Sequence, residues 1–273
     1  MTDLYAVFGN PLSHTKSPLI HTAFAAQTQQ DLDYIAIESP LDGFAADVEK
    51  FRARGGKGIN ITAPFKVEAF ALATDLRQRA ELAGATNALK FEGDKIIAEN
   101  FDGVGLVRDI QQNLCALIRG RRVLMLGAGG AARGAALPIL EAGPSELTII
   151  NRTIPKAHAL REKFASYGKV SSGGYADIKQ GVFDIVINAT SASLRGELPP
   201  ITQTVFAQAG LAYELAYGKG LTPFLGVAKQ AGVDRLADGV GMLVEQAAEA
   251  FEWWRGVRPA TRAMIDKITV PLT

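Results

Sequence analysis

Cysteine is nearly missing from this chain: Cys115 is the only one in 273 residues, so no intramolecular disulfide can form. Histidine is scarce too, with three scattered residues and no cysteine pair to join them, which argues against a structural zinc site and for no metal. Both shortages fit a reducing, cytoplasmic setting. Long apolar runs are absent. The longest, such as residues 123–126, fall far short of the ~20 residues a helix needs to cross a bilayer. No charged segment followed by an apolar run opens the sequence, so no secretory signal is expected. A surplus of one charge is also lacking, since 29 Lys+Arg stand against 28 Asp+Glu. Nucleic acid is therefore not the expected partner, because neutralising phosphates needs a basic excess. What the chain has in excess is glycine, 28 residues against a usual share of ~7%. The length allows one large domain or two ordinary ones, each able to bury a core.

Short β-like runs alternate with helical patterns. Strands are expected at residues 4–8, 34–37 and 58–61, and helices at 18–29, 44–54 and 77–82, with Pro64 in the first turn of a further helix. Residues 87–91 and 95–98 flank Glu92-Gly93-Asp94, a hairpin turn signal, and a helix is expected over 104–117. From Arg121 onward the pattern changes. Apolar strands at 123–126, 147–150, 182–187 and 211–215 alternate with helices ending at 141, then at 155–166 and 223–230. That rhythm implies a parallel sheet with helices on both faces. The end is helical again, at 242–255 and 260–267.

The run Gly127-Ala128-Gly129-Gly130-Ala131-Ala132-Arg133 follows an apolar strand and opens a helix. Gly127, Gly129 and Ala132 match G-x-G-x-x-G/A in the context dinucleotide binding requires. Missing side chains let a pyrophosphate lie against the amides of a helix N-terminus, where the dipole favours anions. The alternative is a tight strand–helix turn that uses glycine for packing alone. The next strand ends in Asn151-Arg152-Thr153, with no carboxylate to hold a ribose 2′-hydroxyl, as NAD enzymes usually have. A guanidinium there can grip a 2′-phosphate with two hydrogen bonds, which points to NADP. The alternatives are a solvated Arg152, with Asn151 or Thr153 capping the next helix.

Three polar clusters of the first hundred residues sit at expected strand–helix junctions. In Ser13-His14-Thr15-Lys16-Ser17-Pro18, the hydroxyls of Thr15 and Ser17 suit a small carboxylate, while Ser17 is also a good N-cap. In Asn60-Ile61-Thr62-Ala63-Pro64-Phe65-Lys66, Asn60 and Thr62 share one strand face. Lys66 follows on the first helical turn, where the dipole disfavours a cation. That suits a catalytic lysine, although spacing alone leaves a solvated one as the simpler reading. In Asn100-Phe101-Asp102-Gly103, Asp102 reads locally as an N-cap or as a catalytic carboxylate.

Together these clusters resemble the shikimate dehydrogenase family. The matching stretches run in family order along nearly the whole chain: Tyr5 to Pro11, His14 to Pro18, Gly56 to Thr62, Pro64 to Lys66, Ala83 to Asn87, Asp102 to Leu106, Gly127 to Arg133, Asn151 to Thr153, Ile187 to Ser191, Tyr217-Gly218, Thr222 to Leu225 and Asp238 to Leu243. The resemblance implies an α/β fold with an N-terminal α/β substrate domain, a Rossmann-like dinucleotide-binding domain, and C-terminal helices returning to the substrate domain. Its boundaries would be 1–103 with 239–273 for the substrate domain and 104–238 for the NADP domain. The implied activity is the reversible NADPH-dependent reduction of 3-dehydroshikimate to shikimate by hydride transfer, in the shikimate pathway of aromatic amino-acid and chorismate biosynthesis. The expected partner is that small-molecule substrate, with no nucleic acid and no membrane, on a monomer or homodimer.

By the same resemblance, Lys66 and Asp102 form the catalytic pair. Thr15 and Ser17 bind the substrate carboxylate, and Thr62, Asn87 and Gln246 hold the ring hydroxyls with Tyr217 nearby. Gln246 is also a polar residue on an apolar helix face traced by Met242, Leu243, Ala247, Ala250 and Trp254, and so needs a partner. Gly127, Ala128, Gly129, Gly130, Ala131 and Arg133 surround the pyrophosphate. Asn151, Arg152, Thr153 and Lys156 surround the 2′-phosphate. Thr190, Ser191, Leu215 and Gly239 lie towards the nicotinamide. The chain departs from the family pattern at three places. Phe101 replaces a usual threonine, and its ring either narrows the site or packs behind Asp102. Ser193 stands near a usual glycine. The stretch Tyr213-Glu214-Leu215-Ala216-Tyr217 commonly carries aspartate and methionine. Two rivals remain: a shikimate or quinate dehydrogenase that uses NAD, which Arg152 argues against, and an inactive dinucleotide-binding homologue, motivated by Phe101. A DNA-binding regulator lacks any basic stripe.

Overall fold

Tyr5, Ala6, Val7 and Phe8 are all buried along the first strand, β1 (Asp3–Gly9), as a strand covered on both faces requires. In the computed structural model, which describes residues 2–273, β1 is followed by α1 (Ser17–Thr28), β2 (Leu32–Glu38), α2 (Phe44–Ala53), β3 (Gly56–Ile61), α3 (Lys66–Leu72), β4 (Asp75–Leu76), α4 (Gln78–Ala83), β5 (Ala88–Glu92) and β6 (Lys95–Glu99). The sheet order is β2-β1-β3-β5-β6-β4. β1 runs parallel to both β2 and β3, while β5 is antiparallel to β3 and to β6. The expected hairpin accounts for that reversal, its turn made by Gly93 at φ 58°. Side chains alternate across β1. Ala6 and Phe8 join Phe44, Phe51, Ile59 and Phe65 on one side, and Tyr5 and Val7 join Tyr34, Phe101, Ala250 and Trp254 on the other. Pro64 is not in the first turn of α3, which starts two residues later at Lys66.

His21 of α1 is buried among aromatic rings. It stacks on Tyr34 at 4.2 Å between centroids and meets Phe24, Phe251 and Trp254. Neither ring nitrogen has a hydrogen-bond partner among the described residues, and burial lowers its pKa from the ordinary 6.5 to about 3. The unfolded chain therefore takes up this proton first as pH falls below the ordinary value, and stability falls with it. Between pH 7 and pH 5 the loss from this residue is expected to be about 2 kcal/mol. Urea unfolding at the two pH values should show that loss in the parent and a shallower one in His21→Phe. Equal losses in both would contradict it.

The second half of the chain continues with α5 (Asp102–Arg108), β7 (Arg122–Leu126), α6 (Gly130–Glu141), β8 (Glu146–Ile150), α7 (Ile154–Phe164), β9 (Val170–Gly173), β10 (Ile185–Asn188), β11 (Leu211–Glu214), α8 (Pro223–Gln230), β12 (Arg235–Ala237), α9 (Val240–Arg255) and α10 (Arg262–Ile268). Its sheet has the order β12-β11-β10-β7-β8-β9, and every neighbouring pair is parallel. This is the doubly wound order in which ligands bind beyond the carboxyl ends of the strands, where the order reverses; here that point lies between β7 and β10. The strands carry the signature of double burial, Val123 to Leu126 and Ile185 to Asn188 being wholly buried. Two compact units result. One joins the residues up to Asp102 with Val244–Met264, and the other joins Gly103–Leu243 with Ile265–Thr273. No helix among the described residues is long and apolar enough to cross a membrane.

The structure differs from expectation at several elements. The helix expected over 104–117 stops earlier: α5 gives way to a π-helical turn at Asp109–Asn113, and Cys115 turns left-handed at φ 50°. The strand expected from 182 begins at Ile185, because Phe183 packs into the core from the preceding loop. β9 and β12 escape the apolar pattern because they are sheet edges of sequence Val-Ser-Ser-Gly and Arg-Leu-Ala.

The π-helical turn has a packing partner. Buried Asp109 accepts a hydrogen bond from Tyr213 Oη at 2.7 Å, and that oxygen accepts from Met242 N at 3.2 Å in the first turn of α9. A negative group is favoured at a helix N-terminus. Gly241 makes the approach possible, since a Cβ there would collide with the Asp109 carboxylate. Gly241→Ala is expected to lower stability by about 1–3 kcal/mol, the usual effect of overpacking. An unchanged urea midpoint would contradict this.

Candidate functional site

In the first unit, Lys66 at the start of α3 and Asp102 after β6 meet across 36 residues of sequence, with Lys66 Nζ 2.5 Å from Asp102 Oδ2. The second carboxylate oxygen accepts from Asn87 Nδ2 at 2.8 Å, and the same amide donates to Gln246 Oε1 at 3.1 Å. Asp102 thus carries two donors on two oxygens, one of them charged, an arrangement that fixes the carboxylate in place. The lysine side chain keeps 33% of its surface exposed and the aspartate 13%. Four of the sequence-derived residues are thereby one connected set.

Its scaffold explains why Asp102 does not act as a helix cap. Asn100 takes that part: its Oδ1 accepts from Asp102 N at 3.1 Å, while its Nδ2 donates to Ala85 O at 3.0 Å. Asn87 Oδ1 accepts from Phe101 N at 2.9 Å, so residue 101 contributes its backbone. The Phe101 ring is buried in the core with Tyr5, Tyr34 and Trp254 and meets Trp253 edge-on at 5.6 Å. The ring was expected either to narrow the site or to pack behind Asp102; it is observed in the core cluster.

Thr15 and Ser17 are neighbours at the start of α1. Thr15 Oγ1 lies 3.4 Å from both Ser17 N and Ser17 Oγ. Ser17 is not the N-cap; Lys16 is, with no side-chain capping bond. The two hydroxyls are half-buried. The Tyr34 hydroxyl donates to Asn60 Oδ1 at 2.7 Å, and Asn60 Nδ2 donates to Asn87 O at 3.3 Å. These buried bonds tie Tyr34 to the backbone of Asn87, a member of the Lys66–Asp102–Asn87–Gln246 set. Tyr34 and Asn100 were not legible as site residues. A hydroxyl on a buried strand residue and an amide two positions before the aspartate were the available signals. Thr62 follows β3, its N–H donated to Phe8 O at 2.9 Å.

In the second unit the glycine-rich turn lies between β7 and α6. Gly127 has φ 112°, a conformation side chains rarely adopt, and a Cβ there would meet Ala189 O at 2.9 Å. Gly129 and Gly130 face open space where a Cβ would project, and no side chain caps α6. Arg133, one turn into α6, has a buried Nε with no hydrogen-bond partner among the described residues. A bare helix N-terminus, two open glycines and an unanswered guanidinium nitrogen together fit an anionic cofactor group. Ala128 is buried and Ala131 exposed on the same turn.

The loop after β8 carries Asn151, whose Nδ2 donates to Thr153 O at 2.9 Å. Thr153 is the N-cap of α7 but makes no side-chain capping bond. Arg152 and Lys156 are exposed. Beyond β10, Thr190 donates through both its N–H and its hydroxyl to Asn188 Oδ1, at 3.1 and 2.7 Å, and Ser191 is exposed beside it. After β11, Leu215 is half-buried, and its carbonyl lies where a Cβ on Gly239 would sit. Gly239 N donates to Ala216 O at 3.1 Å. Tyr217 is 40% exposed and belongs to the second unit, whereas the other residues expected to meet the substrate belong to the first.

Comparison with known proteins gives a consistent result. Residues 7–89 match the family model "Shikimate dehydrogenase substrate binding domain", residues 109–196 match "Shikimate / quinate 5-dehydrogenase", and residues 239–268 match "Shikimate 5'-dehydrogenase C-terminal domain". The NADP(+) shikimate dehydrogenase of Nitrosospira multiformis is 57% identical over 98% of both chains. Among solved structures, an Ael1 enzyme from Pseudomonas putida is 61% identical, with a TM-score of 0.97 over 100% of both chains. The shikimate 5-dehydrogenase of Thermus thermophilus, solved in complex with NADP(H) and shikimate, is 28% identical, with a TM-score of 0.87 over 97% of this chain and 98% of that one.

Proposed function

The chain belongs to the shikimate dehydrogenase family, and on that premise we propose how its residues carry out the reaction. It is an NADP-dependent oxidoreductase that interconverts 3-dehydroshikimate and shikimate, a step of aromatic amino-acid biosynthesis. The first unit binds the substrate and the second the cofactor. NADPH, when bound, supplies the hydride that reduces the ketone.

Reduction of a ketone leaves negative charge on its oxygen, so a proton donor must stand there. Lys66 is that donor: as an ammonium it gives the proton, and in the neutral form it takes one back during oxidation of shikimate. Asp102 accepts from the lysine and from a ring hydroxyl, which fixes both. Asn87 is held by Asp102, Gln246 and Phe101 N, so its amide is oriented before substrate arrives. Gln246, Thr62 and Tyr217 offer further neutral groups to the ring hydroxyls, and Thr15 with Ser17 meets the carboxylate. The connected set of Lys66, Asp102, Asn87 and Gln246 is the observation that carries this assignment.

For the cofactor, Gly127, Ala128, Gly129, Gly130, Ala131 and Arg133 would hold the pyrophosphate. Arg152, with Asn151, Thr153 and Lys156, would hold the 2′-phosphate, and Thr190, Ser191, Leu215 and Gly239 the nicotinamide end. The open glycines and the unpartnered Arg133 Nε support the first of these. Lack of a carboxylate in the loop after β8 supports NADP over NAD. The Phe101 ring, which motivated an inactive reading, lies in the core. A cytoplasmic enzyme, monomeric or homodimeric, completes the proposal, with the single cysteine supporting a reducing compartment. The test is NADPH formation from shikimate and NADP⁺, with quinate in place of shikimate as the comparison. Absence of turnover with shikimate would refute the proposal.

A further inference from the structure

Two departures from the family pattern, Ser193 and the stretch around Glu214, meet in space. Glu214 ends β11, is wholly buried, and accepts from the Ser193 hydroxyl. It also accepts from Asn188 Nδ2 at 2.9 Å, Thr222 Oγ1 at 3.3 Å and Ala216 N at 3.3 Å. These donors come from the end of β10 and the loop after it, the loop after β11 and the N-cap of α8. Burial raises the Glu214 pKa from its ordinary value, and the donors pull it back.

The carboxylate has a directional consequence. A carboxylate only accepts, so Asn188 must turn its NH₂ towards Glu214. That leaves Asn188 Oδ1 facing away, where it accepts from Thr190 N and Thr190 Oγ1. Thr190 Oγ1 in turn accepts from Ala192 N at 3.3 Å. Ser193 closes the loop from the other side, accepting from Asn188 Nδ2 at 3.2 Å while donating to Glu214. Asn188 and Glu214 are fully buried and Ser193 nearly so, where an unanswered polar group is costly.

We propose that Glu214, acting through Asn188 and Ser193, is a positioning residue that sets the Thr190–Ser191 and Leu215 loops at the nicotinamide end of the cofactor site. It touches neither substrate nor cofactor. This rests on the reading of those loops given above. In Glu214→Gln one of the two acceptor positions becomes a donor, so either Asn188 Nδ2 or Ala216 N loses its acceptor, which releases the Thr190 loop or the Leu215 loop. Exchanging the two roles, with Asn188→Asp added to Glu214→Gln, restores donor facing acceptor on both sides.

The test uses the whole chain and four forms: parent, Ser193→Ala, Glu214→Gln and the Asn188→Asp/Glu214→Gln pair. For Glu214→Gln, kcat for shikimate oxidation should fall about tenfold, as misplacement of a reacting group does, and the isotope effect from deuterated shikimate should rise. Adenosine 2′,5′-bisphosphate, which lacks the nicotinamide, should bind within about twofold of the parent. Ser193→Ala should lose about threefold in kcat, and the exchanged pair should recover most of the lost rate. Unchanged kcat in both single variants would overturn the proposal, as would parallel loss of adenosine bisphosphate binding, or a pair no better than Glu214→Gln. If Glu214→Gln does not fold, Ser193→Ala decides by the same two readouts. A parent that fails to oxidise shikimate refutes the functional reading instead. Hydrogen exchange then decides this proposal: the Thr190 and Ala192 amides should exchange faster in Ser193→Ala, and these or the Ala216 amide in Glu214→Gln, and unchanged exchange at all three overturns it.

Discussion

Lys66→Ala is expected to cut kcat for shikimate oxidation at least ~100-fold, the usual effect of losing a general acid or base, and to leave the protein folded. The expectation of an intact fold has a structural basis. The lysine side chain is one-third exposed, and the tie between α3 and the segment before β5 runs through its backbone, Thr86 N donating to Lys66 O at 2.9 Å. Removing the ammonium leaves Asp102 with the Asn87 amide on its other oxygen, so the carboxylate is not left without a donor. The loss should therefore appear in kcat and in kcat/KM together, as for an interaction made only in the transition state. Steady-state kinetics beside a thermal unfolding curve checks both halves. A near-parental rate would remove Lys66 from the mechanism, and a collapsed fold would make it a structural residue.

Arg152→Ala is expected to weaken NADP⁺ by about 1.5–3 kcal/mol, roughly a ten- to hundredfold rise in Kd, the range of a hydrogen bond to a charged group. NAD⁺ should be nearly unaffected, since it has no 2′-phosphate for the guanidinium to grip. Arg152 is exposed on the loop after β8, with Lys156 also exposed one turn further on, so its removal strips no packing from the core. Titrating each cofactor separately gives the two constants. Equal weakening of both would show that Arg152 does not distinguish the phosphate, and the preference for NADP would need another source.

What the sequence disclosed follows from the range of the interactions involved. The glycine-rich turn is a local event, a strand, a left-handed Gly127 and a helix start within a few residues, and residue spacing reveals it. β7 is buried on both faces beyond Arg122 and reads as an apolar run, whereas β9 and β12 are edge strands without one. The contact between Lys66 and Asp102 spans 36 residues. Local rules favoured a solvated lysine and left Asp102 open between cap and catalyst, and only resemblance to a family pointed to the pair. Asn100, which takes the capping bond instead, lies two residues from Asp102 but becomes meaningful only when Ala85 is seen beside it. Phe101 stood out as a substitution, yet its direction depends on Tyr5, Tyr34 and Trp254, drawn from three distant segments. Ser193 and Glu214 each looked like isolated departures, and their contact needs β10 and β11 to be adjacent.

The central claim, that this chain moves a hydride between shikimate and NADP⁺, is tested most directly by isotope transfer. Shikimate deuterated at the carbon bearing the reacting hydroxyl is incubated with the parent protein and NADP⁺, and the reduced cofactor is examined by mass spectrometry. The account predicts that one deuterium passes to the nicotinamide ring with none lost to water. No reduced cofactor, or reduced cofactor carrying only solvent hydrogen, would contradict it.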